Sequence, residues 1–275
     1  MKHLPQHLAQ NIAAARKAPA TKAAALTALH SLDLTSLNDD DTQESIQAFL
    51  AKADQKKLGH VAAVCVYPGF LAQAFNGVAK DGINRATVIN FPSGKGQPAQ
   101  TAQDVKKAIA SGANEIDIVL DYESFLAGDA KKAETLLRAC RAACGADIKL
   151  KVILESAAFD DYKDLSAASR LALDCGADFL KTSTGKSAMG GASLEAAATM
   201  LQAILDTGSA SGIKISGGVK TVADCAQYQS LAKKMMGKDW ITTDTFRIGA
   251  SGVLTDILQR LGKPAAKSAT SPSSY

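Results

Sequence analysis

The chain of 275 residues has no apolar run near the roughly 18 residues that cross a bilayer, which removes integral membrane proteins built on helices. Its first 22 residues mix charge with alanine around no continuous apolar core, so they do not read as a secretory leader. The five cysteines, at 65, 140, 144, 175 and 225, are odd in number and suggest no disulfide framework. They read as small core residues of a reducing compartment, and a cytoplasmic location is expected. Cys140 and Cys144 share a helix face, but no third and fourth ligand complete a zinc set. His3, His7, His30 and His60 form no such set either, with Pro5 lying between the first two. Neither a metal nor any other cofactor is expected. The net charge of +4 comes from dispersed basic residues, without the clusters or interleaved aromatics of a nucleic-acid surface. No G-x-G-x-x-G follows the first apolar segment, so an open dinucleotide-binding sheet lacks its fingerprint.

What the chain does have is alternation. Short apolar segments at 29–34, 61–67, 85–91, 115–120, 149–154, 179–182, 213–216 and 246–249 read as strands. Between them lie amphipathic stretches at 41–57, 101–111, 130–144, 161–175, 194–205, 223–236 and 254–261. Start signals precede several of them, such as Asn38-Asp39-Asp40-Asp41 and Thr221, and Gly112, Gly145, Gly176 and Gly208 sit at stops. Eight β-then-α units at this length predict an α/β fold, a closed (β/α)8 barrel in one domain spanning 1–275. The first 25 or so residues read as an extra helix before the barrel, and residues 264–275, rich in Ser, Ala and Pro, as a mobile tail.

A barrel of this kind gathers its chemistry at the C-terminal ends of its strands. The polar residues there are Asp33, Cys65, Asn90, Asp117, Glu155, Lys181, Lys214 and Ser251, and all eight are expected to face one mouth. Lys181 ends an apolar run and opens the loop Thr182-Ser183-Thr184-Gly185-Lys186. Lys214 holds the matching place in Gly212-Ile213-Lys214-Ile215-Ser216-Gly217-Gly218. Two lysines on adjacent strand ends repel, so one gives up its proton easily and becomes a nucleophile toward carbonyls. Asp117 alternates inward from Glu115-Ile116-Asp117-Ile118-Val119, and an interior carboxylate needs cationic partners. The glycine loops Gly185-Lys186, Gly217-Gly218 and Gly249-Ala250-Ser251-Gly252 follow the last three strands, where backbone amides of this fold commonly hold phosphate.

These segments resemble the deoxyribose-phosphate aldolases, a family of class I aldolases. The resemblance runs through Leu32-Asp33-Leu34-Thr35-Ser36-Leu37-Asn38-Asp39-Asp40-Asp41-Thr42, Asn90-Phe91-Pro92-Ser93-Gly94 and Asn114-Glu115-Ile116-Asp117. It continues through Gly176-Ala177-Asp178-Phe179-Leu180-Lys181-Thr182-Ser183-Thr184-Gly185-Lys186, Gly217-Gly218-Val219, Gly249-Ala250-Ser251 and the terminal Ser273-Ser274-Tyr275. It implies reversible cleavage of 2-deoxy-D-ribose 5-phosphate to glyceraldehyde 3-phosphate and acetaldehyde. Lys181 would form the Schiff base, Asp117 and Lys214 would move protons, and Tyr275 would assist exchange at the enamine carbon. Gly185, Lys186, Gly217, Gly218, Gly249 and Ser251 fall where the family holds the phosphate. Further substrate contacts are expected at Asp33, Thr35, Asn38, Cys65, Thr184 and Lys220. Three positions depart from the family pattern: Ile215 stands where proline is common, Lys220 where arginine is common, and Gly252 where a second serine is common. Lysine lacks arginine's bidentate fork, which bears on phosphate affinity.

Expected partners are small phosphosugars and aldehydes, with neither nucleic acid nor membrane, and a homodimer is allowed for. Two other readings remain open at this point. A different Schiff-base aldolase or transaldolase would share the lysine. A non-catalytic sugar-phosphate sensor would share the glycine loops, but has no need of two converging lysines and an interior aspartate.

Overall fold

The computed structural model describes residues 1–78 and 82–263. Eight parallel strands close into a barrel in chain order: β1 (Leu32–Thr35), β2 (Ala63–Val66), β3 (Asn84–Ile89), β4 (Glu115–Val119), β5 (Lys149–Ile153), β6 (Phe179–Lys181), β7 (Gly212–Ser216) and β8 (Phe246–Ala250). β8 returns to pair with β1, so no edge is left open. Each strand is followed by at least one helix: α3 (Gln43–Leu50), α4 (Leu71–Val78), α5 (Pro98–Ala110), α6 (Tyr122–Leu126) with α7 (Ala130–Cys144), α8 (Tyr162–Asp174), α9 (Leu194–Thr207), α10 (Val222–Met236) and α11 (Val253–Arg260).

The strands alternate with period two, and this divides the interior into two compartments. Leu32, Leu34, Val64, Val66, Ile116, Ile118, Leu150, Val152, Leu180, Ile213, Ile215 and Ile248 point outward and pack with the helices in the main hydrophobic core. The alternate residues line the barrel. Side chains at several helix starts fix where the loop before them ends. Thr42 and Thr221 form capping boxes for α3 and α10, and Asp121, Asp129, Asp161 and Ser193 cap α6, α7, α8 and α9.

The N-terminal extension is two helices rather than one, α1 (Gln6–Ala15) and α2 (Lys22–His30). α1 lies against α9 and α10, burying Leu8 and Ile12, and α2 lies against α10 and α11. The expected first strand at 29–34 is corrected accordingly. Leu29 and His30 complete α2, and Ser31 turns the chain into β1. The helix expected at 41–57 is shorter, starting from the Thr42 cap rather than from the acidic run. Asp41 instead accepts hydrogen bonds from the Ser36 hydroxyl and the Asn38 amide, tightening the loop after β1. All five cysteines are buried as free thiols. Among the described residues, no helix is long and apolar enough to cross a membrane. The expected tail, with Tyr275, lies outside the described residues.

Candidate active site

Inward-facing residues of six strands bring seven charged side chains into the barrel: Asp33 on β1, Glu115 and Asp117 on β4, Lys151 on β5, Lys181 on β6, Lys214 on β7 and Arg247 on β8. All seven are fully buried. The register makes several of them neighbours: Asp117 lies beside Lys151, Lys181 beside Lys214, and Lys214 beside Arg247. A buried charge is tolerated only when paired, and these are. Asp117 holds three lysines, with Oδ1 at 2.9 Å from Lys151 Nζ and Oδ2 at 2.9 Å from Lys181 Nζ and 2.7 Å from Lys214 Nζ. Lys214 also reaches Asp33 Oδ2 at 2.6 Å, and Lys151 reaches Glu115 Oε2 at 2.6 Å. Arg247 closes the base, bridging Asp33 Oδ1 at 2.5 Å and Glu115 Oε1 at 2.8 Å, with its guanidinium 5.6 Å from the centre of the Phe179 ring.

Formal charge identifies the unusual member. Four cations face three carboxylates, so the network is neutral when one cation gives up its proton. Among the described residues Lys181 has a single carboxylate partner, whereas Lys151, Lys214 and Arg247 each have at least two. Burial lowers the Lys181 pKa from the ordinary lysine value; Asp117 opposes the shift and Lys214 adds to it. Burial would lower Lys214 too, but Asp117 and Asp33 outweigh it and hold that ammonium well above its ordinary value. Burial would raise Asp117, yet Lys151, Lys181 and Lys214 hold it well below the usual carboxylate range. The site therefore sets an amine able to be neutral beside an ammonium and a carboxylate, which is the equipment for imine formation with proton transfer.

The other side of the barrel differs. β2 and β3 contribute Ala63, Cys65, Ala86 and Val88, which cluster with Leu37 against Tyr67 and Phe91. Burial pushes the Cys65 thiol up, so it stands there as a neutral side chain. The lysines thus face a small apolar wall.

The remaining expected residues fall in several places. Thr35 donates its hydroxyl to the Asp33 carbonyl, and Asn38 is held by Ser36 and Asp41. Asn90 braces the loop after β3, donating to the Val119 carbonyl and accepting from the Gly96 amide. Thr184 bonds Glu155, and Lys186 reaches Asp39 Oδ1 at 3.3 Å. Gly217 and Gly218 adopt left-handed backbone at φ 82 and 84, and their amides donate to no backbone carbonyl among the described residues. Lys220 is exposed just ahead of α10, and Ser251 lies just ahead of α11. Gly249 is inside β8 itself, where a Cβ would stand 2.9 Å from Lys214 Cε, so its missing side chain makes room for the lysine.

The expectation of strand-end residues misses Lys151, Glu115 and Arg247 as site members, because they sit lower in the barrel. A signal was present: each is a charge at an inward position of an apolar strand, in Lys149-Leu150-Lys151-Val152-Ile153, Glu115-Ile116-Asp117 and Phe246-Arg247-Ile248.

A closed barrel with a buried lysine at the end of its sixth strand, beside a carboxylate and a second lysine, has the groups that a Schiff-base lyase requires. The chain belongs to the DeoC/LacD family of aldolases, whose family model matches residues 27–255. It is 46% identical over 247 residues to a deoxyribose-phosphate aldolase of Agrobacterium fabrum, covering 89% of this chain and 94% of that one. It is also similar to a crystal structure of a candidate deoxyribose-phosphate aldolase from Toxoplasma gondii, with a TM-score of 0.79 at 25% identity over 87% of this chain and 96% of that one. A second candidate of that activity, from Coccidioides immitis, gives 0.74 at 26% identity over 92% and 98%.

Proposed function

We propose that the protein is a deoxyribose-phosphate aldolase, with Lys181 as nucleophile and Asp117 and Lys214 as its proton-transfer pair. The observation that carries this is the buried Lys181 Nζ, 2.9 Å from an Asp117 oxygen that also binds Lys214. The neutral Lys181 amine adds to the aldehyde carbon of 2-deoxy-D-ribose 5-phosphate. Lys214 and Asp117 pass protons as the carbinolamine loses water to give the iminium. The iminium accepts the electron pair of the C2–C3 bond while the C3 hydroxyl loses its proton. Glyceraldehyde 3-phosphate leaves, and an enamine remains on Lys181. Protonation of the enamine and addition of water release acetaldehyde and restore the amine. Thr35, Asn38, Cys65 and Thr184 shape the pocket in this reading, and Asp33 holds Lys214 from below.

The phosphate is assigned to the amides of Gly217 and Gly218, which donate to no backbone carbonyl among the described residues, with Gly185, Lys186, Lys220, Gly249 and Ser251 around them. Ser251→Asp tests this: KM for deoxyribose 5-phosphate is expected to rise far more than KM for deoxyribose, and equal rises would move the phosphate elsewhere. Tyr275 is assigned to proton exchange at the enamine carbon, on the strength of the family resemblance. Tyr275→Phe is expected to slow deuterium entry into the acetaldehyde methyl group, and wild-type exchange would remove Tyr275 from the mechanism. A cytoplasmic location and a homodimer belong to the same reading. The dimer is checked by light scattering, against the tetramer known for the Aeropyrum pernix aldolase.

The central test is reduction with borohydride in the presence of acetaldehyde, followed by peptide mapping. The expected adduct is a single ethyl group on Lys181. A label on another lysine, or none, overturns the assignment.

A further inference from the structure

The reaction as derived leaves unused several buried polar side chains on the loops after β5 and β6. Glu155 lies two residues beyond β5 and is 1% exposed. Its backbone is left-handed at φ 53 and ψ 59, a conformation that a non-glycine residue keeps only where its surroundings enforce it. Oε2 accepts the Thr184 hydroxyl at 2.5 Å and the Thr184 amide at 3.3 Å. Oε1 is buried and has no partner among the described residues, and the same is true of Ser156 Oγ and Ser183 Oγ. The Ser156 amide donates to the carbonyl of Thr182, the residue after Lys181, so all three orphaned oxygens belong to the ends of β5 and β6.

Buried polar atoms without partners are uncommon, and three on adjacent loops at an active-site mouth call for an occupant. Burial holds the Glu155 carboxyl above its ordinary value, against the two Thr184 hydrogen bonds and the charge of Lys181. Protonated, Oε1 is a donor lacking an acceptor; ionised, it is an acceptor lacking a donor. A hydroxyl group answers either state, as do the two serines toward it. An aliphatic group answers neither.

We infer that Glu155 Oε1, Ser156 Oγ and Ser183 Oγ form a hydroxyl-binding subsite that recognises the hydroxylated half of the aldol substrate. The subsite selects hydroxyl-bearing acceptor aldehydes over aliphatic ones. This rests on the aldolase reading of Lys181. The acetaldehyde half carries no hydroxyl apart from the one lost in imine formation, so the subsite acts on the acceptor alone. Thr184 holds the carboxyl in place and leaves Oε1 free.

The test uses the full chain and compares two acceptors in acetaldehyde addition, glycolaldehyde and propanal, which have the same number of heavy atoms. Ser183→Ala and Glu155→Gln are expected to cut kcat/KM for glycolaldehyde by about tenfold to a hundredfold, as a buried hydrogen bond to substrate lost. The value for propanal should stay within about twofold or rise, since fewer polar atoms are left dry. A parallel loss on both acceptors makes the cluster a structural latch and overturns the inference. Unchanged values on both acceptors also overturn it, and assign the orphaned oxygens to water. Ser183→Ala keeps the question open to decision even where Glu155→Gln fails to fold. Borohydride trapping of acetaldehyde on the wild-type Lys181 is run alongside. Its failure refutes the aldolase reading itself, whereas an intact trap with equal acceptor losses refutes only the subsite.

Discussion

Replacing Lys214 by methionine isolates what the second lysine does. Methionine keeps most of the stem volume and removes the charge. Lys181 and Lys214 share one acceptor, Asp117 Oδ2, at 2.9 and 2.7 Å. Two nitrogens held that way lie on the order of 4 Å apart, where like charges repel by about 4 kcal/mol at an effective dielectric near 20. At about 1.4 kcal/mol per factor of ten, this favours the neutral Lys181 amine by up to about a thousandfold. Without Lys214, Asp117 also turns more of its charge toward Lys181, which favours the ammonium further. The expected outcome for Lys214→Met is a severe loss of kcat/KM at pH 7, recovering about tenfold per pH unit as the amine is titrated free. The assay is glyceraldehyde 3-phosphate release across pH, with circular dichroism to show the fold intact. An acid limb unmoved from that of the wild type refutes the reasoning. A uniform loss at every pH would make Lys214 a proton donor and leave the neutrality of Lys181 to burial.

Three other perturbations follow from the same network. Asp117→Asn keeps size and removes the carboxylate that three lysines share, so turnover should fall by at least about a hundredfold with the fold retained; near-normal turnover would reduce Asp117 to an ion-pair partner. Asp33 has a folded pKa below its ordinary 3.8, because Lys214 and Arg247 outweigh its burial, so its stabilisation is present above that pH and is lost as pH falls. Asp33→Asn should therefore cost about 3–5 kcal/mol at pH 7, with the gap to the wild type narrowing below about pH 4; urea midpoints at pH 7 and pH 3 decide, and a gap independent of pH refutes the account. Gly249→Ala would set a Cβ 2.9 Å from Lys214 Cε and 3.1 Å from Ser216 Cβ. Overpacking of this kind costs about 1–3 kcal/mol, and the displaced lysine should lower kcat as well as Tm; an unchanged kcat would mean that the lysine yields freely.

The barrel was legible in the sequence because each strand is a short apolar run and each helix carries its own period, and β7 and α7 fall almost where the pattern sets them. Lys181, Lys214 and Asp117 were legible because a charge near the end of an apolar strand adds nothing to packing and so points to chemistry. Lys151 and Arg247 were not. A lysine or arginine flanked by apolar residues reads as a long side chain on its way to solvent, and only closure of the barrel removes the solvent. Glu115 escaped because it opens its strand, at the end of the barrel away from the mouth to which this fold assigns its chemistry. The start of β1 was misplaced because the apolar spacing of Ala28 and Leu29 carries into Leu32 and Leu34 without a break in hydrophobicity. α4 and α6 were not anticipated, and the five residues of α6 are too few to show a period.

The two linings of the barrel differ in how freely they can change over generations. On β1 and β4 to β8, every charged group answers another, so a lone exchange of sign or size strands its partner in a dry interior. Such positions can drift only in matched pairs, and substitutions at Asp33 and Lys214, or at Glu115 and Arg247, should rescue one another when made together. The wall formed by Ala63, Cys65, Ala86 and Val88 owes nothing to charge balance. A single exchange there alters only volume beside Lys181. Variation toward bulkier or smaller aldehydes is therefore open through β2 and β3 one residue at a time, while the chemistry on the opposite side is held in place by its own bookkeeping.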